Sequence, residues 1–170
     1  MRADTRSVKK FTLALACAAL PLLWFGGGAV LRWFASDETK IRRIVASMEE
    51  AYNAGAPSDC VEPIAANWHH AGTELDRREL FAALLGIARE RERETRELRT
   101  RVEVDEAAAE IVVAGERATL ALEAAFQRRR GAEWQPSWQV RITAELVDGE
   151  DGWEIVASRH EDLEGTHLGR

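Results

Sequence analysis

Cysteine is nearly absent from this 170-residue chain. Its two examples are Cys17, inside an apolar run, and Cys60. With Cys60 alone in the soluble part, no disulfide can close within a domain and no thiolate cluster can bind a metal. The expected role of Cys60 is that of a small buried hydrophobe. Internal repeats and low-complexity tracts are also missing. Basic charge is scarce beyond the N-terminus. Residues 1–35 hold Arg2, Arg6, Lys9, Lys10 and Arg32 against Asp4 alone, so the remainder carries 18 basic and 28 acidic residues. A surface that acidic excludes nucleic acid and anionic headgroups as partners.

What is present first is one long apolar stretch. Phe11 to Leu31 contains no charge, and at about 1.5 Å per residue it reaches across a bilayer core of about 30 Å. The basic residues in front of it predict a cytoplasmic N-terminus and an exported remainder. Trp24, Trp33 and Phe34 lie towards the far end, where an interfacial aromatic belt sits. The reading is a cytoplasmic tail over 1–10, an uncleaved signal anchor over 11–33, a folded domain over 36–165 and a tail over 166–170. The protein is thus expected in a bacterial inner membrane, single-pass, with its domain periplasmic or extracellular. A cleaved signal peptide ending near Ala16-Cys17-Ala18, and a lipoprotein signal with its acyl group on Cys17, are the alternatives.

The domain begins with helical periodicity. Ile41, Ile44, Val45, Met48 and Tyr52 form one stripe, which Gly55 and Pro57 end. A short second helix is expected after Ser58 or Asp59, with Val61, Ile64 and Ala65 on its inner side. Asn67 to Thr73 reads as a loop. A third helix opens near Asp76 and presents Leu80, Phe81, Leu84, Leu85 and Ile87. The interleaved charges from Arg89 to Arg101 read as a solvated helix end.

Strands follow, marked by a period of two. Val102 and Val104 open the series, and Ile111 to Ala114 leads into a turn at Gly115-Glu116. Ala118, Leu120, Leu122, Ala124 and Phe126 alternate with polar or small residues. So do Trp138, Val140, Ile142, Ala144 and Leu146, up to the turn cluster Asp148-Gly149-Glu150-Asp151-Gly152. Trp153, Ile155 and Ala157 resume the alternation. Helices first and a meandering antiparallel sheet second is an α+β layout.

That order, with Tyr52-Asn53-Ala54-Gly55 ending the first helix, a Trp-containing loop, a helix opened by Asp76-Arg77-Arg78-Glu79-Leu80, and a last strand beginning Asp151-Gly152-Trp153-Glu154-Ile155-Val156, resembles the nuclear transport factor 2-like superfamily, which includes SnoaL-like and ketosteroid-isomerase-like proteins. The resemblance spans about Asp37 to Glu164. It implies a cone-shaped, cystatin-like fold, three N-terminal helices packed on a curved antiparallel sheet, preceded here by one transmembrane helix. It also implies an internal pocket, in which the family's enzymes place carboxylates, Tyr, His or Arg.

The strand parity argues against catalysis of that kind. None of the inward positions above is ionisable. Glu123, Arg141 and Glu145 have the opposite parity. The pocket candidates are therefore Tyr52, Trp68, His70, Asp76 and Trp138, with Trp68 expected to plug the cone. No residue is assigned as catalytic. His69 and His70, being adjacent, point different ways and make a poor joint metal site. His160, in Ser-Arg-His-Glu-Asp, reads as part of a surface ion pair. No three residues have metal-ligand spacing, and no cofactor is implied.

The expectation is a non-catalytic binding or assembly module, anchored in the membrane. It would meet a second copy or an envelope protein through the outer sheet face around Gln139, Arg141, Thr143, Glu145 and Glu123. The alternative is a small-molecule-binding protein or SnoaL-like enzyme using the pocket inside the cone.

Overall fold

In the computed structural model the described residues are 35–91 and 97–165. The membrane segment expected over 11–33, the tails and part of the charged run therefore lie outside them. Among the described residues no helix is long and apolar enough to cross a membrane.

Helix α1 spans Asp37–Ala54 and α2 spans Pro57–Val61. Strand β1 is Ile64–His70, and helix α3 is Arg77–Arg89. The strands β2 (Thr100–Val104), β3 (Glu110–Ala114), β4 (Arg117–Arg130), β5 (Glu133–Gly149) and β6 (Gly152–Gly165) complete the domain. The architecture is α+β, with three helices on one curved sheet. The strand order is β1-β6-β5-β4-β2, and β3 also pairs with β4.

The β4–β5–β6 meander carries the fold. Ala118, Leu120, Leu122 and Ala124 of β4 stand opposite Leu146, Ala144, Ile142 and Val140 of β5. The period-two pattern thus becomes one apolar sheet face. Ile41 and Val45 of α1 pack on that face together with Trp68, Trp153 and Ile155. Ile41, Val140 and Leu146 are the most completely enclosed of its large side chains. The indole of Trp153 donates to Asp37 at 3.3 Å, tying the start of α1 to the start of β6.

Four expectations are corrected. Asn67 to His70 is strand rather than loop, and Ile64 and Ala65 belong to that strand rather than to the second helix, which ends at Val61. The sequence around Trp68 carries no alternation because β1 is held by a distant partner. It pairs in parallel with β6, so the sheet is mixed rather than wholly antiparallel. The charged run is also not one helix end, since α3 stops at Arg89 and Arg91 bridges to Leu98.

The sheet's far side has two short strands along β4. β2 pairs with Ala124–Arg128 and β3 with Arg117–Ala121. The free edge of β2 is closed by Asn53 of α1. Its side-chain amide donates to the Val102 carbonyl and its carbonyl oxygen accepts from the Val102 N–H, both at 2.8 Å. One side chain thereby imitates a neighbouring strand.

Two substitutions test this packing by urea unfolding. Leu146→Ala is expected to lower stability by about 2–5 kcal/mol, since it empties an enclosed core position. Asn53→Ala removes two edge bonds and is expected to lower it by about 1–2 kcal/mol.

Candidate functional site

The pairing of β5 with β6 is irregular. Leu146 stands opposite Ile155 and Glu145 opposite Ala157, leaving Val156 without a partner. This β-bulge reverses the parity of Ala157 to Asp162, up to a second irregularity that leaves Leu163 unpaired. Before it, Trp153 and Ile155 face the core. After it, Ser158 and His160 stand opposite Ala144 and Ile142, both on the inward face. The inward alternation therefore does not continue to Ala157, and His160, exposed as expected, nevertheless has the inward parity. The concave face does carry an ionisable strand residue, contrary to the parity expectation.

His160 meets His70 there. The Nε2 of His70 lies 2.9 Å from Nδ1 of His160. His70 ends β1 and is only 9 % exposed, whereas its neighbour His69 is exposed. The two adjacent histidines do point apart. On its other side, Nδ1 of His70 lies 3.1 Å from the Thr73 hydroxyl, which also accepts from the Leu75 N–H at 3.2 Å. Asp162, two residues beyond His160, lies 3.9 Å from the outer nitrogen of that ring. Its carboxylate accepts from the Trp138 indole at 2.8 Å.

A neutral pair satisfies this chain when His70 carries its proton on Nε2, donating to Nδ1 of His160 and accepting at its own Nδ1 from the Thr73 hydroxyl. Burial, and then the charge of His160, hold His70 below the ordinary imidazole pKa.

The rings form a continuous line. Trp68 meets His70 at 6.4 Å, His70 meets His160 at 4.9 Å, and His160 meets Trp138 edge-on at 5.5 Å. Trp138 stacks on Phe126 at 4.9 Å, and Phe126 meets Tyr52 at 5.6 Å. Tyr52 donates to the buried Thr100 at 3.3 Å. This belt follows the strand order β1, β6, β5, β4 and closes through α1 onto β2. Burial raises the Tyr52 pKa, so its hydroxyl stays protonated at neutral pH.

The structure divides the five residues proposed from sequence. Tyr52, Trp68, His70 and Trp138 lie on the belt. Trp68 is 5 % exposed and packs in the core, with its Nε1 buried and unpartnered. An indole N–H left that way costs about 1–3 kcal/mol. Asp76 lies elsewhere. Its carboxylate caps α3 by accepting from the Glu79 N–H at 2.8 Å. It borders an open groove of about 490 Å³ lined by Ser58, Val61, Ala66, Arg77, Arg78 and Phe81. Arg77 is already committed there to the Val61 carbonyl at 3.0 Å.

Sequence reasoning weighed His160 and set it on the surface, and it passed over Thr73, Phe126 as a ring partner, and Asp162. The outer sheet face is polar and internally paired, with Arg141 on Glu123 at 2.6 Å and Gln139 on Glu123 at 3.5 Å. Trp134 lies on that face under the guanidinium groups of Arg101 and Arg129, at 4.7 and 5.9 Å. Among the described residues no three His, Cys, Asp or Glu side chains converge to hold a metal ion.

Comparison with known proteins defines the fold. No family model matches the sequence, and none of the curated proteins does. Solved structures do match. An NTF2-like protein with a cystatin-like fold from Novosphingobium aromaticivorans superposes with a TM-score of 0.64 at 16 % identity, over 84 % of this chain and 92 % of that one. A domain of unknown function with a cystatin-like fold from Nostoc punctiforme gives 0.58 at 22 % identity, over 78 % and 79 %. A second Novosphingobium protein, provisionally named a scytalone dehydratase, gives 0.58 at 13 % identity, over 76 % and 91 %. The chain has the NTF2-like, cystatin-like fold.

The depressed pKa of His70 sets a direction for stability. The unfolded chain, with an ordinary imidazole pKa of about 6.5, binds more protons than the folded one. The stability associated with His70 is therefore fully present above that value and is lost as pH falls through and below it. Urea unfolding between pH 8 and pH 5 is expected to show this loss, and His70→Gln is expected to flatten it.

Proposed function

We propose that this domain binds a small, flat molecule against the Trp138–Phe126 wall, with His160 and Asp162 as its polar contacts. The observation that carries this reading is the Val156 bulge, which turns His160 onto the concave face beside a buried histidine. A binding site combines apolar ring surface with a few convergent polar groups, and the belt supplies both. His160 offers an imidazole edge, and Asp162 an exposed carboxylate already steadied by the Trp138 indole. The proposed arrangement also holds the domain at a bacterial membrane. The support is the uncharged run from Phe11 to Leu31, preceded by Arg2, Arg6, Lys9 and Lys10.

A second reading has its own support. The His70–His160 pair places two imidazoles, the side chain that most often serves as general acid or base, within 2.9 Å of each other. Among proteins of this fold, some carry the provisional names of dehydratase or aromatic ring hydroxylase. On this reading the molecule bound at Trp138 is also the substrate of a proton transfer. Assembly through the outer sheet face, around Arg141 and Glu123, is the less favoured alternative, because those groups already pair with one another.

A thermal-shift screen of small aromatic and polycyclic compounds on the full-length chain tests the first reading. A true ligand at a hundredfold excess over its Kd adds about 2.7 kcal/mol of stability. Trp138→Ala and His160→Gln are expected to keep the fold and abolish the shift. A shift that survives both variants places the ligand elsewhere and defeats the reading. Turnover of the bound compound that His160→Gln removes, with binding retained, selects the proton-transfer alternative.

A further inference from the structure

The two strands that share the far side of β4 are finished differently. β2 has its outer edge closed by the Asn53 amide. β3 has no such cover. Among the described residues no backbone or side-chain group beyond β4 bonds to Glu110–Ala114. Its valines are also the wrong residues for an edge left to water. Val112 is 64 % exposed and Val113 38 % exposed. Solitary edges are usually blunted by lysine, proline, a bulge or a covering element, because a bare apolar strand templates pairing with another chain. β3 has none of the first three among its residues Glu-Ile-Val-Val-Ala.

We propose that the free edge of β3 is a dimerisation site at which a second copy of this chain adds its own β3, antiparallel and centred on Val112. The registers within the sheet fix what such a pair brings together. Val112 meets Val112 of the second copy, Ile111 meets its Val113, and Glu110 meets its Ala114. Ile111 and Val113 face the core side, opposite Leu120 and Ala118 of β4. The pairing thus extends the apolar face across the junction. Val112 has the outward parity of Thr119.

Charge selects this occupant and this register. No charged residue of the strand meets a like charge. Ala114 stands opposite Arg117 within each chain. Across the junction, Glu110 of one copy therefore lies two strand spacings, about 10 Å, from Arg117 of the other. Only the small Ala114 separates them, and both long side chains share the outer face. The same acid–base pair recurs on the other side of the two-fold axis. An isologous interface of this kind closes on itself as a dimer and leaves no further β3 edge to extend.

Sedimentation and cross-linking of the full-length chain in detergent test the proposal. The wild type is expected to be a dimer at micromolar concentration. Val112→Lys places two ammonium groups against each other at the axis. It is expected to yield folded monomers with the far-UV circular dichroism of the wild type, since the position is exposed and outside the core. With Cys17→Ser as background, Val112→Cys is expected to form an intermolecular disulfide, because directly opposed Cβ atoms approach to about 4.5 Å at their closest, which brings the two sulfurs within bonding reach. Thr143→Cys, on the outer sheet face, is expected not to form one. A monomer throughout, a dimer that survives Val112→Lys, or cross-linking through Thr143→Cys but not Val112→Cys would each overturn the assignment.

Discussion

One unpaired residue decides what the inner face of this sheet contains. Val156 has no partner on β5, so the strand slips by one position between Ile155 and Ala157. Up to that point β6 contributes Trp153 and Ile155 to an apolar core. Beyond it the same face receives Ser158 and His160. Because side chains alternate with a period of two, a single extra residue moves the side chains after it to the other side, here as far as the second irregularity at Leu163. Without the bulge His160 would stand on the outer face, His70 would be buried beside no polar ring, and the line of aromatic contacts would break between β1 and β5.

The consequence is a domain with two distinct ends. At one end α1 lies against the sheet and the core closes around Ile41, Val140 and Leu146. At the other, a line of rings runs from Tyr52 to the buried His70 and Trp68, joined by hydrogen bonds to Thr100, Thr73 and Asp162. Each polar group on this belt except the Trp68 indole has a partner, so the belt is stable as a wall while presenting imidazole and carboxylate edges. The same economy appears at the sheet's border, where Asn53 occupies the hydrogen-bonding positions that a further strand would otherwise take on β2. β3 lacks such a substitute, and its exposed valines give that border a different character.

Much of the fold was legible in the sequence, for a local reason. The stripe Ile41, Ile44, Val45, Met48 and Tyr52 reports a helix packed on one side. The alternations in 118–126 and 138–146 report a hairpin with one buried face. Both signals arise within about a dozen residues, as does the turn between Gly149 and Gly152. β1 was not legible, because its strand character comes from a parallel partner some ninety residues away and its burial pattern does not alternate cleanly. The site was legible in part. Tyr52, His70 and Trp138 could be named as residues of suitable chemistry, but Asp76, named as a titratable group of a pocket mouth, has its carboxylate engaged as a helix cap. The surface position and ion pair expected of His160 hold, since it is exposed and lies 3.9 Å from Asp162, but its contact with His70 was not legible, because nothing in Trp-Glu-Ile-Val-Ala-Ser marks Val156 as the residue that is skipped.

The central claim, that the bulge brings His160 against His70, is tested most directly by a double-mutant cycle. Stability would be measured by urea unfolding at pH 8 for the wild type, His70→Gln, His160→Gln and the double variant. A direct hydrogen bond between the rings predicts a coupling of about 1 kcal/mol, with the double variant less destabilised than the sum of the singles. Additivity to within about 0.3 kcal/mol would mean that the two rings do not interact, and would contradict the account.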